Sequence, residues 1–132
     1  MCIRDSGDAV RGRILAGANL SAQDYLRTKK LQQDLKRVMA GAMEGIDAIL
    51  TPTTETAAIK VDAVDESKLP SRFTRFGNLL EMCALALPNG FTASGLPLSL
   101  QITCSGYEEA TALRIGQAYQ GATDWHLRQP AL

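Results

Sequence analysis

The stretch GLPLSLQIT, residues 95–103, carries an apolar side chain at every second position. The apolar members are Leu96, Leu98, Leu100 and Ile102. This alternation is typical of a strand with one face on a core and the other toward solvent. Ser94 and Gly95 at its start indicate a turn. We therefore predict a half-covered β-strand over residues 96–103, entered directly from a turn.

A long amphipathic helix is predicted upstream of this strand. Ser21 is a suitable N-cap, and Asp24 follows three residues later, where a capping-box carboxylate belongs. Apolar residues then recur at helical spacing, with charged and amide side chains mostly on the other side. The apolar stripe consists of Leu31, Leu35, Val38, Met39, Ala42, Met43 and Ile46. Gly45 is the predicted stop.

The remaining predicted elements are shorter. A helix is predicted over residues 10–16, broken at Gly17, and a buried strand over 48–51, stopped by Pro52. A polar loop follows over residues 53–70. Two further helices are predicted over residues 73–82 and 108–119. A turn is predicted at Pro88-Asn89-Gly90, and residues 125–130 are predicted to be irregular. This order predicts an α/β fold with a mixed β-sheet flanked by helices.

Composition and charge exclude several classes of function. Hydrophobic residues make up 45% and charged residues 21% of the 132 residues, which fits one soluble globular domain. The formal net charge is zero, so the chain lacks the basic footprint of a protein that binds nucleic acid or anionic lipid. Its apolar runs are too short to cross a membrane. The scattered cysteines Cys2, Cys83 and Cys104 favour a reducing, cytoplasmic setting.

The first residues, MCIRDS at positions 1–6, fit neither a signal peptide nor the helical pattern that follows. They resemble the translated adaptor sequence found at the ends of metagenomic reads. We interpret residues 1–6 as a non-native leader and expect the genuine chain to begin near Gly7.

No motif in the sequence places a nucleophile next to a base. G-x-S-x-G, S-x-x-K, H-E-x-x-H and Gly-rich phosphate loops are all absent from it. His126 is the single histidine, and a cysteine hydrolase that pairs it with Cys83 or Cys104 is one alternative. Cys83 lies in an apolar run, which favours a small buried hydrophobe over a reactive thiolate. We assign no catalytic residue in this chain.

The acidic residues Asp62, Asp65 and Glu66 lie close together in the polar loop. They have neither histidines nor regular spacing around them, and a solvated acidic loop explains them better than a metal site does. We therefore predict no metal site and no cofactor.

Several segments, taken in order, resemble the amidase-signature family. RILAG at 13–17 and SAQDYL at 21–26 are similar to its R-I-x-x-G and S-A-x-D-Y stretch, and DAILTPT at 47–53 to its D-a-l-l-x-P-T element. FT at 73–74, NL at 78–79 and ALPNGF at 86–91 resemble its F-T, N-L and s-x-P-x-G-f segments, and GLPLSLQI at 95–102 its G-L-P-x-g-x-Q-l strand. The resemblance runs from about Gly7 to Pro130. Its specificity lies in the order and spacing of these segments.

The resemblance implies an amide-hydrolysing parent. Members of this family cleave carboxamides with a Ser–cis-Ser–Lys triad that lies in their N-terminal part, where a Gly- and Ser-rich signature presents the nucleophilic serine. No such run exists in this sequence. Residues 7–132 are thus expected to be the C-terminal part of an amidase domain, inactive alone. The implied partners are a small-molecule amide substrate, the missing N-terminal portion of the same domain and a second copy of the full-length protein in a homodimer.

The resemblance also places candidate substrate-binding residues at the rim of the acyl pocket. They are Thr51, Pro52, Thr53, Thr74 and Asn78. Capping of helices and support of turns is the alternative role for these side chains.

One segment departs from the common family pattern. Residues 78–84 read NLLEMCA, where many members read N-L-t-G-L-P. The variant resembles a branch with bacterial amidases and allophanate hydrolases, and it argues against the glutamine-hydrolysing subunit of a tRNA amidotransferase. An allophanate hydrolase as the parent, and a non-catalytic binding or assembly module that keeps the amidase scaffold, stand as alternatives.

Overall fold

A computed structural model describes residues 7–65, 68 and 70–129. The helices are α1 (Asp8–Ala16), α2 (Ala22–Ala42), α3 (Arg75–Leu80) and α4 (Glu109–Ala122), and the strands are β1 (Ile49–Pro52), β2 (Cys83–Phe91) and β3 (Pro97–Cys104). Short 3-10 turns occupy Gly17–Asn19, Val61–Ala63 and Trp125–Leu127. The predicted leader at residues 1–6, together with Glu66 and Pro130, lies outside the described residues.

The strands form one sheet in the order β1-β3-β2. Both pairings are antiparallel, and Ile102 of β3 lies between Leu50 of β1 and Leu85 of β2. The combination of helices and a sheet confirms the predicted fold class, but the described sheet is antiparallel throughout, whereas we predicted a mixed one. The physical reason for the β2–β3 pairing is the short connection over residues 92–96, since a tight turn can join only antiparallel neighbours.

The strand predicted from residues 95–103 is the centre of this sheet, and its inner half is covered on both faces. Gln101, Ile102, Thr103 and Cys104 are all buried. The prediction of a half-covered strand is therefore wrong for this half. Ile102 and Cys104 pack with Leu87 and Ala112 in the hydrophobic core, while the opposite face carries Gln101 and Thr103.

Helix α4 covers the core face of the sheet. Ala112 and Gly116 are buried, and Ile115 and Tyr119 pack against the core cluster. A Cβ atom added at Gly116 would lie 2.6 Å from Leu85 Cδ2. The helix therefore approaches β2 so closely that the position has no room for a side chain unless the leucine moves.

The predicted turn at Pro88-Asn89-Gly90 is wrong, because these residues continue β2. Pro88 pairs with Ser99 and Phe91 with Pro97, so the β2 segment holds one more residue than the facing segment of β3. This is a β-bulge, and Gly90 adopts a φ of 117° within it. The chain reverses later, where Thr92 N–H donates to Leu96 O at 2.9 Å and Gly95 has a φ of 82°.

Helix α2 begins as predicted. The Ser21 hydroxyl accepts from Asp24 N–H at 3.1 Å and donates to Asp24 Oδ2 at 2.6 Å. The helix ends at Ala42 with Met43 as its C-cap, and Gly45, in the following turn, has a φ of 73°. A positive φ suits glycine, so the predicted stop signal lies just beyond the last helical residue.

The apolar stripe of α2 is mostly not covered by the described part of the chain. Met43 is buried, whereas Leu31, Leu35 and Val38 are exposed. Two polar contacts attach the helix to the rest of the chain: Gln32 Nε2 donates to Leu79 O at 2.7 Å, and Lys36 forms an ion pair with Glu81. The Lys36 ammonium, by its hydrogen bond and its charge, lowers the pKa of the Glu81 carboxyl.

Helix α3 is shorter than the predicted helix over residues 73–82. Glu81 ends it in the left-handed conformation with a φ of 57°. A Cβ added at Gly106 would lie 2.5 Å from Glu81 O, so the corner between α3 and β2 touches the turn between β3 and α4. None of the helices in the described ranges is long and apolar enough to cross a membrane.

Candidate pocket wall

A row of hydroxyl and amide side chains lies on the face of the sheet that α4 does not cover. Side chains two apart along a strand share a face, and Thr51 of β1 lies directly opposite Gln101 of β3. Ser99, Gln101 and Thr103 of β3 therefore point to the same side as Thr51. We call Thr51, Thr53, Ser99, Gln101 and Thr103 the polar row.

Gln101 is the centre of the polar row. It is 4% exposed, and its Nε2 donates to Phe73 O at 2.7 Å, to Thr103 Oγ1 at 3.2 Å and to Thr51 Oγ1 at 3.5 Å. One amide thereby joins β1, β3 and the segment that precedes α3. A buried polar side chain costs free energy unless its hydrogen bonds are made, so these contacts determine where the three segments can lie.

Thr53 extends the row beyond the end of β1. Its hydroxyl hydrogen bonds to that of Ser99, and its backbone N–H donates to Ser99 O at 3.0 Å. The chain therefore stays paired with β3 for one residue past Pro52. Only then does it leave as the predicted polar loop.

A groove of about 470 Å³ opens along this end of the sheet. Its walls come from the end of β1, the first loop residues and the paired segments of β2 and β3. The residues that line it are Leu50, Thr51, Pro52, Thr54, Glu55, Thr56, Ala57, Ala58, Asn89, Pro97, Leu98, Ser99 and Leu100. Its size suits a small molecule, and its polar lining is mainly neutral, because Glu55 is the single charged residue among these.

The loop wall of the groove is held by its own contacts. Thr54 Oγ1 donates to Thr56 O at 2.8 Å, and Arg72 lies 3.5 Å from the Glu55 carboxylate. On the opposite wall, the Tyr119 hydroxyl of α4 hydrogen bonds to Asn89 Oδ1. The groove is thus bounded by turns and side-chain hydrogen bonds and is open to solvent rather than enclosed by the core.

The structure separates the candidate residues into two groups. Thr51 and Pro52 line the groove, and Thr53 joins its wall through Ser99. Thr74 lies at the start of α3, where its hydroxyl donates to Ser71 O at 3.4 Å, and Asn78 is an exposed residue within α3. Neither of these two lines the groove. The link between the groups is Gln101, which holds Phe73, next to Thr74, against the polar row.

Sequence reasoning did not single out Gln101 or Ser99 as candidate site residues. Both alternate with Leu98, Leu100 and Ile102 in the strand, and that pattern predicted that they face solvent. A glutamine surrounded by leucines and isoleucine in a central strand was the available signal, because such a residue is buried only if its amide finds partners.

The polar row lacks the arrangement that nucleophilic catalysis requires. In the described ranges its hydroxyls bond to one another or to Gln101, and none bonds to a lysine, histidine or carboxylate. Such a set can donate to and accept from a polar substrate group, but no member has a base that would take its proton. Three or more His, Cys, Asp or Glu residues do not come together as a metal-binding group anywhere in the described part.

The cysteine–histidine alternative finds no geometric support. His126 is exposed in the C-terminal 3-10 turn, and within the described chain no hydrogen bond joins it to Cys83 or Cys104. Burial, followed by the proximity of Cys83, raises the pKa of the Cys104 thiol. A catalytic cysteine that attacks substrate as a thiolate at neutral pH has the opposite shift, a lowered pKa.

Comparison with known proteins places this arrangement in a family. The family model described as "Amidase" matches residues 3–113. The crystal structure of an amidase superposes on this chain with a TM-score of 0.74 at 26% sequence identity. The superposition covers 90% of this chain and 29% of the amidase chain. A glutamyl-tRNA(Gln) amidotransferase subunit from Thermotoga maritima gives a TM-score of 0.62 at 28% identity, over 84% of this chain and 26% of that one.

Curated relatives agree with the structural neighbours. The corresponding glutamyl-tRNA(Gln) amidotransferase subunit from Ralstonia pickettii is 39% identical, and the match covers 95% of this chain and 28% of the relative. The subunit from Roseiflexus sp. is 36% identical, and the match covers 96% of this chain and 28% of the relative. The chain thus spans about 28% of the length of these relatives. Their names give no support to the branch prediction from residues 78–84. The matched segments and the shared fold show that the chain belongs to the amidase family.

Proposed function

We propose that residues 7–132 form the C-terminal part of an amidase domain whose full-length protein cleaves a carboxamide C–N bond to carboxylate and ammonia by a Ser-Ser-Lys mechanism. The observation that carries this proposal is the groove beside the polar row. It offers neutral donors and acceptors suited to an amide but no base next to a hydroxyl. Within the proposal, this chain forms a pocket wall, and the reacting groups come from the remainder of the protein.

Thr51, Pro52 and Thr53 are the residues we propose to contact substrate from this wall. Thr51 and Pro52 border the groove directly, and hydroxyls can orient an amide through both its carbonyl and its N–H groups. We also propose that Thr74 and Asn78 contact substrate, because they match recurring positions of the family. They would reach substrate only where a further part of the pocket closes over α3, because neither lines the groove of the described chain.

The exposed apolar face of α2 supports a larger assembly. Leu31 is 57% exposed and Val38 is 70% exposed, and contiguous apolar surface of this kind usually marks an interface. We propose that the N-terminal portion of the same domain covers it. We also propose that the full-length protein forms a homodimer and that it is located in the cytoplasm.

The test compares this chain with the protein encoded by the gene read upstream of Gly7. We expect the upstream frame to encode a lysine followed by a Gly- and Ser-rich run with two serines. Ammonia release from a panel of small amides should be measured for the longer protein and for residues 7–132 alone. We expect turnover by the longer protein only, and loss of that turnover when the nucleophilic serine is changed to alanine.

Two outcomes would refute the proposal. The first is an upstream frame without the lysine and the serine-rich run. The second is amide turnover by residues 7–132 alone, since no hydroxyl of the polar row bonds to a base within the described part of this chain.

The relatives favour a second candidate for the parent protein, namely one component of an amidotransferase that acts on glutamyl-tRNA(Gln). Its basis is the 39% identity to the Ralstonia pickettii protein. An amidotransferase component would need its partner proteins for full activity, whereas a free-standing amidase would not. Assay of the longer protein with and without those partners separates the two. The relatives named above are not allophanate hydrolases, so that alternative gains no support from them.

A further inference from the structure

Two cysteines face each other across the β2–β3 pair. Cys83, the first residue of β2, is the direct partner of Cys104, the last residue of β3. Side chains of directly opposed residues lie on the same face, with Cβ atoms about 4.5–5.5 Å apart. Cα atoms of opposed residues in an antiparallel pair are about 4.5–5.5 Å apart, which is within the range that a disulfide spans. A disulfide brings the Cβ atoms to about 3.5–4.5 Å, so its formation requires the two residues to approach by roughly 1 Å.

Hydrogen bonds show how close the Cys83 thiol lies to the opposite strand. The Cys83 thiol donates to Ser105 O at 3.3 Å and lies 3.9 Å from Cys104 O. Cys104 is fully buried and Cys83 is half-buried. The two sulfurs therefore occupy one corner of the core, with one of them open to a small reagent.

The backbone segments around the pair also approach each other closely at a second point. Glu81 and Gly106 flank the two cysteines, and the space at Gly106 is so narrow that an added Cβ would lie 2.5 Å from Glu81 O. The pairing of β2 with β3 extends to Cys83 and Cys104, so the two strand ends lie side by side whether or not the sulfurs are bonded. A disulfide that requires little backbone movement is one that forms without large strain.

We propose that Cys83 and Cys104 are a site of reversible two-electron oxidation, forming a cross-strand disulfide when the protein meets a peroxide. The Cys83 sulfur, as thiolate, attacks one peroxide oxygen. The O–O bond breaks, hydroxide leaves and Cys83 becomes a sulfenic acid. The Cys104 thiol then attacks the Cys83 sulfur and loses its proton to the departing hydroxyl, so that the S–S bond forms and the S–OH bond breaks with release of water. The proton that Cys83 lost when it became a thiolate combines with the hydroxide of the first step. In total, two thiols and one hydrogen peroxide give one disulfide and two waters.

The order of the two steps follows from burial. Desolvation raises the pKa of Cys104, so this thiol forms little thiolate and reacts slowly with an outside oxidant. Cys83 meets solvent and takes the first oxygen. Cys104 then acts as the resolving thiol from inside the core, which explains why the buried partner need not be reachable by the oxidant.

The test uses the full chain with Cys2→Ser, so that the two sheet cysteines alone remain. The protein is treated with hydrogen peroxide, quenched and digested with trypsin. Both cysteines fall in the single tryptic peptide 76–114, because no lysine or arginine lies between Arg75 and Arg114. After peroxide treatment we expect this peptide to be lighter by two hydrogens and not to react with maleimide. Dithiothreitol should restore both the original mass and the reaction with maleimide.

Two comparisons test whether the disulfide forms because Cys83 and Cys104 face each other in the folded protein rather than through random collision of the two thiols. In guanidinium the sulfurs meet only by loop closure, so we expect the sulfenic acid, followed by trapping with dimedone at successive times, to convert to the disulfide roughly tenfold faster in the native protein. The Cys83→Ser and Cys104→Ser variants should give no loss of two hydrogens. Circular dichroism of each variant shows whether it retains the fold, and the native-against-denatured rate of the two-cysteine chain needs neither variant.

Equal rates in the native and denatured chain would overturn the proposal, as would two free thiols in the native protein under conditions that oxidise the denatured one. Neither result bears on amide hydrolysis, which the ammonia assay measures separately.

Discussion

At the residue scale, Gln101 is the side chain that links the polar row to the segment before α3. Its amide is buried and serves three acceptors from different segments. Water cannot replace a lost partner at such a position, so an unmade hydrogen bond there costs its full free energy. Gln32 makes a bond of the same kind and the same 2.7 Å length to Leu79 O, but that bond is exposed.

The two glutamines predict different responses to the same substitution. Gln101→Leu removes the donor and leaves the Phe73 carbonyl without this partner, so we expect the free energy of unfolding to fall by about 1–3 kcal/mol. Gln32→Leu should change it by no more than about 0.5 kcal/mol, because water replaces the lost donor. Urea unfolding of the two variants and the unaltered chain measures both values. Equal losses would show that burial does not set the importance of Gln101.

At the element scale, α2 and β2 differ in how far their bounds are set by residues nearby in the sequence. The Ser21 cap, the helical spacing and Gly45 were sufficient to predict where α2 begins and where the chain turns after it, since capping and positive-φ preferences act within a few residues. The extent of β2 was not predictable in this way. Pro88, Asn89 and Gly90 favour a turn locally, but pairing with β3 makes this segment a bulge.

The turn that leads into α4 gives a prediction at this scale. Gly106→Ala places a Cβ against the Glu81 carbonyl, a backbone atom that cannot rotate away, so we expect a loss of about 1–3 kcal/mol in the free energy of unfolding. Gly121→Ala, within α4 and with nothing inside 4 Å, should instead gain about 0.5–1 kcal/mol through higher helix propensity. Thermal unfolding followed by circular dichroism reports both signs. A gain at Gly106 would contradict the close contact.

At the scale of the whole molecule, the distribution of apolar surface is the main feature. The core cluster around Ile102 and Cys104 is small, while many large apolar residues remain exposed, several of them along α2. A helix obtains most of its stability from burying its apolar face. The stripe of α2 therefore fits a larger folded unit than the described part of the chain forms.

This surface predicts self-association of the isolated chain. Val38→Lys places a charge in the exposed stripe and should lower association, whereas Gln33→Lys adds the same charge on the polar side of the same helix and should have little effect. Sedimentation of the variants at matched concentration measures the difference. In the longer protein proposed above, Val38→Lys should destabilise the fold, because the charge would then be buried. Equal effects of the two lysines would argue against an apolar interface on α2.

Local patterns were sufficient to predict the long helices, the central strand and the turn at Ser94 and Gly95, because capping, periodicity and turn preferences depend on neighbours along the chain. The order and spacing of short motifs were sufficient to find the family resemblance. Three features became visible only in the folded chain: the inner half of β3 is covered on both faces, Gln101 joins three segments, and Cys83 faces Cys104. These features arise from contacts between residues far apart in sequence. Strand alternation shows which side chains share a face, but not what packs against that face.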